Sequence, residues 1–157
     1  MNEAAAFIAK HRRRGALLDA NILLVYVVGM CDIRLLPQFH HTNQYKDDFP
    51  LIRHLIKQFR LTYTTPHVLT EVSNLGKELG PKFFDALQRM VQVLDEQSCT
   101  SKDAVANVYF RRLGLTDAAH LNIARNNILV ITADFPLYLT LRHSKIDAVN
   151  INHLRMG

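Results

Sequence analysis

At 157 residues, 48% of them apolar and 21% charged, the chain has the length and composition of one folded domain with a real core, and disorder is excluded. Nineteen lysines and arginines face fourteen aspartates and glutamates, a formal charge of +5, which suits a polyanionic partner. The greasiest run, 22–30, falls well short of the ~20 residues a bilayer needs and predicts a buried helix rather than a membrane span.

The opening MNEAAAFIAKHRRR predicts an added amphipathic helix over 2–13, within a single domain 1–157 in which residues 1–14 are the addition. Its basic run follows the apolar patch, the reverse of a signal peptide's order, so export is not expected. Gly15 releases the chain into a short strand, 16–18, that ends at Asp19, and the apolar run from Ala20 predicts a helix closed by Gly29. Residues 31–48 read as a loop or partly helical excursion, followed by a helix over 49–59 and a β-branched and aromatic strand over 61–64. Thr65 followed by Pro66 is a helix start, and that helix is expected to stop at Gly76.

A helix over 81–94, a strand over 97–100 and a helix over 101–113 closed by Gly114 come next. Thr116 is expected to cap a helix over 117–126, with Asp117 held ionised in its first turn. A strand over 128–131, a helix over 135–143 and a last strand over 148–151 complete the order. Strands alternating with helices, with no hairpin signal, predict an α/β fold, a three-layer α/β/α sandwich on a mostly parallel central sheet. Cys31 and Cys99 are far apart and lack C-x-x-C companions, so reduced thiols in a cytoplasmic protein are expected rather than a zinc site or a disulfide.

Four acids fall at strand ends or helix starts: Asp19 in LLDAN, Glu71 in TPHVLTEVSNL, Asp117 in GLTDAAH and Asp134 in LVITADF. Ligands in parallel sheets bind beyond the carboxyl ends of the strands. Acids gathered there repel one another unless cations neutralise them, which predicts bound divalent metal. Setting the four aside leaves ten acids against nineteen bases, a basic body around an acidic pocket. Taken singly, each acid is better explained as a helix cap or a surface charge; four at matching topological points are not. Asn21 and Thr132 are candidate neighbours hydrogen-bonded to the ligands.

The motifs LLDANILL, TPHVLTEVSNL, LTDAAHLNIA and LVITAD, in this order from Gly15 to about Asn152, resemble those of the PIN-domain nucleases, VapC-type toxins included. The resemblance implies that Asp19, Glu71, Asp117 and Asp134 are the catalytic quartet binding Mg²⁺ or Mn²⁺, and that the protein is a metal-dependent endoribonuclease yielding 5′-phosphate and 3′-hydroxyl ends. It further implies a protein antitoxin as partner and a homodimer. The N-terminal helix and the 31–48 excursion depart from the compact family pattern.

Such chemistry needs hard oxygen ligands that hold an ion against the phosphate and activate water. Asp19 and Asp134 are oriented by strand ends, and Glu71 suits binding through water. His120, one turn beyond Asp117, reads as a structural or solvent-facing histidine. His40, His41 and His67 show no ligand spacing. Lys10, Arg12, Arg13 and Arg14 suit either an RNA backbone or a solvated helix end.

The rival reading is a noncatalytic PIN-fold module that binds RNA or scaffolds proteins, against which the retention of all four acids argues. An aspartate-based phosphatase would require D-x-D where LLDAN has Asn21, and neither G-x-G-x-x-G nor a P-loop occurs.

Overall fold

The computed structural model describes residues 2–155, and the remainder of the 1–157 assignment lies outside the described residues. The elements in chain order are α1 (Glu3–His11), β1 (Ala16–Leu18), α2 (Ala20–Cys31), α3 (Phe49–Ile56), β2 (Thr62–Thr64), α4 (Pro66–Gly76), α5 (Pro81–Val93), β3 (Asp95–Glu96), α6 (Ser101–Val105), α7 (Phe110–Leu113), α8 (Leu115–Ala124), β4 (Leu129–Thr132), α9 (Phe135–His143), β5 (Ala148–Asn150) and α10 (Ile151–Leu154). Short 3₁₀ turns at Ile33–Leu35, Asn43–Tyr45 and Lys77–Leu79 punctuate them. The strands form a five-stranded sheet in the order β3-β2-β1-β4-β5, every neighbouring pair parallel.

Strand residues alternate between faces, and in a parallel sheet both faces are covered. Ala16 and Leu18 of β1 and Leu129 and Ile131 of β4 join one core with α2, with Val68 and Val72 of α4 and with Phe83 of α5. Leu17 and Val130 point the other way, into a second core with Leu121 of α8 and with Leu137 and Leu141 of α9. This is the expected three-layer α/β/α sandwich.

Several boundaries differ from the sequence reading. Gly29 does not stop its helix, since α2 continues to Cys31, whereas α4 does end at Gly76, where a 3₁₀ turn takes over. A Cβ on Gly29 would stand 2.2 Å from Phe49 Cδ2, and one on Gly76 2.0 Å from Phe83 Cζ, so both glycines serve close helix packing. The third strand is Asp95–Glu96 rather than 97–100, fixed by the pairs Tyr63↔Asp95 and Thr64↔Glu96.

The helix expected over 101–113 breaks into α6 and α7. Asn107 accepts a hydrogen bond from the Tyr109 amide at 2.9 Å and donates to Asn122 at 2.9 Å, which substitutes a local turn for the helix. Thr116 is not a cap; α8 begins at Leu115 behind Gly114, whose φ of +88° ends α7. Beyond β5 the chain makes the unexpected turn of α10. Among the described residues, no helix is long and apolar enough to cross a membrane.

Candidate metal centre

The sheet order places β1 beside β4 at the point where connections turn in opposite directions, the position at which open α/β sheets bind ligands. Leu18 pairs with Ile131, so the next residues, Asp19 and Thr132, emerge side by side at the strands' carboxyl ends. Both follow the Leu17 and Val130 face, toward α8. The Thr132 hydroxyl donates to Asp19 Oδ2 at 2.7 Å, and the Ala20 amide donates to Asp19 Oδ1 at 2.8 Å. Thr132 Oγ1 also accepts from the Asp134 amide at 2.9 Å, tying the two strand-end acids through one buried hydroxyl. Asp134 in turn caps α9, its Oδ1 accepting from the Leu137 amide at 2.9 Å.

On α8, Asp117 and His120 are three residues apart and share a helix face. His120 is fully buried, and its Nδ1 lies 3.7 Å from Asp117 Oδ1 and 3.8 Å from Asp19 Oδ1, beyond hydrogen-bond distance from both. Neither ring nitrogen has a hydrogen-bond partner. A buried nitrogen left so is costly, and this one is aimed into carboxylates. Donor atoms of Asp19, Asp117 and His120 all lie within 4.8 Å of one another, a set that fits a divalent cation.

Electrostatics mark the same place. Burial first, then repulsion from Asp19 and Asp134, pushes the Asp117 carboxyl above its ordinary value despite the opposing pull of His120, so the helix start does not dominate as the sequence had suggested. Glu71 is also raised, by partial burial and then by Asp19 and Asp117, with His120 and the Thr116 hydroxyl opposing. Burial alone would lower His120, but Asp117, Asp19 and Glu71 reverse the sign and hold the imidazole above its usual value. Glu71 thus stands at the exposed rim, where α4 meets α8 across the top of the sheet. A hollow of about 320 Å³ opens beside it, lined by Pro66, His67, Thr70, Asn74 and Thr116.

Some acids elsewhere are held by cations. Asp48 is buried but paired with Arg155, Asp147 with Lys10 and His11, and Asp32 with Arg34. Among the described residues, no lysine or arginine pairs with Asp19, Glu71, Asp117 or Asp134; His120 alone stands as a counter-charge.

Of the four predicted acids, Asp19 and Asp117 share one set of donor atoms with His120, and Glu71 and Asp134 lie outside that set. Asp19 and Asp117 are drawn together with His120, Glu71 lies at the rim, and Asp134 is close enough for its charge to act on Asp117. Thr132 has the predicted bond to Asp19, whereas half-buried Asn21 makes no side-chain hydrogen bond to it among the described residues. His120, read from sequence as structural or solvent-facing, is buried among the donor atoms of Asp19 and Asp117; its three-residue spacing from Asp117 was the available signal. Tyr45, half-buried in the excursion, was missed altogether. Burial and then the charges of Asp19, Asp48 and Asp134 raise its hydroxyl, with Arg155 opposing.

Arg12, Arg13 and Arg14 precede β1, at the end of the sheet opposite Asp19, and Lys10 is held by Asp147 at 2.7 Å. They do not line the pocket. Compared with known families and with curated proteins, the chain matches none.

Proposed function

We propose that the chain is a divalent-metal-dependent endoribonuclease working at the Asp19 and Asp117 pocket. The observation that carries this reading is an acid cluster without lysine or arginine partners, at the switch point of a parallel sheet, with a buried imidazole that has no hydrogen-bond partner. Asp19, Asp117 and His120 would hold the ion directly, with Asp134 beside them and Glu71 reaching it through water. Mg²⁺ or Mn²⁺ suits the oxygen donors, and Mn²⁺ accepts the imidazole more readily. Bound there, the ion would polarise phosphate oxygens and lower the pKa of its water.

The chain's own contributions are positional. Thr132 fixes the rotamer of Asp19, and the capping bond fixes Asp134. The hollow beside Glu71, with His67, Thr70 and Asn74 on its walls, is where a neighbouring nucleotide would rest. The surplus of basic residues outside the pocket favours approach of a polyanion.

The resemblance to PIN-domain toxins supports a toxin role, a small protein antitoxin whose arginine would enter the pocket, a homodimer and a cytoplasmic setting. The test is cleavage of RNA by purified protein with Mg²⁺ or Mn²⁺, comparing wild type with Asp19→Asn and Asp134→Asn. Cleavage by wild type that both variants lose supports the proposal. Equal activity in all three, or no cleavage by wild type with metal bound, overturns it.

A further inference from the structure

We propose that His40, His41 and Glu78 form a second cation site, separate from the carboxylate pocket, for a borderline divalent ion of the zinc class. Sequence spacing gave no hint of it because Glu78 is distant along the chain. The fold brings donor atoms of all three within 4.8 Å of one another, with His40 Nε2 3.6 Å from Glu78 Oε1. Zinc bonds of ~2.1 Å at tetrahedral angles set ligand atoms about 3.4 Å apart, so small side-chain rotations close the set.

Both segments that carry the ligands are anchored. Phe39 and Thr42 flank the histidine pair and are buried; the Thr42 hydroxyl donates to the Leu36 carbonyl at 2.9 Å, and the Thr42 and Asn43 amides donate to the Phe39 carbonyl at 3.0 and 2.8 Å. The two imidazole rings lie 3.9 Å apart between centroids, each edge-on to Phe39. Glu78 rides on the 3₁₀ turn Lys77–Leu79, whose Leu79 packs against the core. The backbone is thus set, and ion binding has only the exposed side chains of His40 and Glu78 and the half-buried one of His41 to order.

Two imidazoles and one carboxylate prefer zinc, nickel or copper over magnesium, the reverse of an oxygen-rich pocket. Three protein ligands leave a fourth position for water. The bound ion would join the 31–48 excursion to the end of α4, the helix that carries Glu71.

The test is zinc titration of the full chain against a chromophoric chelator, in an Asp19→Asn/Asp117→Asn background that disables the pocket. One equivalent should bind, at least about tenfold more weakly after His41→Ala or Glu78→Gln is added. Zinc at a hundredfold excess over Kd should raise Tm by about 5–10 °C, and the rise should vanish in those variants. Affinity unchanged by His41→Ala and Glu78→Gln, or zinc binding lost on changing the pocket alone, overturns the proposal. If the pocket background does not fold, Co²⁺ absorption on the wild-type background decides: His41→Ala losing one cobalt equivalent supports the site, and unchanged stoichiometry refutes it. Failure to cleave RNA leaves this result untouched.

Discussion

Replacing Asp117 by asparagine should stabilise the metal-free protein and abolish its response to Mg²⁺. Asp117 and Asp19 present carboxylate oxygens no more than 4.8 Å apart. Two unit charges at that separation repel by about 3.5 kcal/mol at an effective dielectric of ~20. His120 relieves part of this, and proton uptake by Asp117 relieves more, so the isosteric change should gain about 1–2 kcal/mol. For a chain of this size that is about 3–7 °C in Tm. The sign follows from the raised Asp117 carboxyl. A carboxylate held above its unfolded value favours the fold at acid pH, and that contribution is lost as pH rises through the folded value, so the variant's advantage should appear only above about pH 4.

Mg²⁺ should reverse the order. At a hundred times Kd the ion stabilises wild type by about 2.7 kcal/mol, while a variant short of one ligand gains little. Differential scanning fluorimetry, with EDTA and then with saturating Mg²⁺, should therefore show the two melting curves exchanging places. A variant melting below wild type in EDTA would mean that Asp117 is held by favourable contacts. An equal Mg²⁺ shift in both proteins would remove Asp117 from the ligand set.

Thr132→Val keeps the shape but leaves an Asp19 oxygen and the Asp134 amide without their partner; chemical denaturation should show a loss of about 1–3 kcal/mol, and calorimetry a 10–100-fold weaker metal. Unchanged metal affinity would confine Thr132 to a structural role. Asp147→Asn should flatten the acid limb of the stability profile. Burial would raise Asp147, yet bonds from Lys10 and His11 hold it below its ordinary value. Its stabilisation is therefore complete above the unfolded value of ~3.9 and fades as pH falls through the lower folded value, and urea titrations across that window should show a steeper slope in wild type than in the variant. Gly76→Ala, with its new Cβ driven 2.0 Å from Phe83 Cζ, should cost about 1–3 kcal/mol in urea. A neutral or stabilising result would show that Phe83 can step aside.

What the sequence made legible follows from range. β1 and β4 are apolar runs that end in polar side chains, so their place and their acids could be read directly, and the Thr65–Pro66 start of α4 is a purely local signal, realised by Thr65 accepting from the Val68 amide at 3.0 Å. Errors came wherever a partner remote in sequence decides. Gly29 carries the ordinary mark of a helix stop, and only Phe49 reveals it as a point of close approach; Gly76 does end α4, but the sequence could not show Phe83 packed against it. The edge strand Asp95–Glu96 has no apolar pattern because its register comes from β2. Asn107 breaks a good helix pattern partly through Asn122, fifteen residues away.

The same distinction explains His120. A lone histidine three residues after an aspartate has many uses, and what narrows them here is burial against a second carboxylate, Asp19, from another layer of the fold. The three surfaces that meet there, a strand end, a helix face and the rim of α4, each bring negative charge, while every arginine or lysine bonded to an acid among the described residues is bonded to one elsewhere. A fold can leave such a cluster uncompensated only at a cost in stability. The cost is relieved by a proton shared with the imidazole or by a divalent ion, and these two compete for the same donors. Metal binding must therefore release protons, so affinity should climb with pH until Asp117, Glu71 and His120 have all given theirs up.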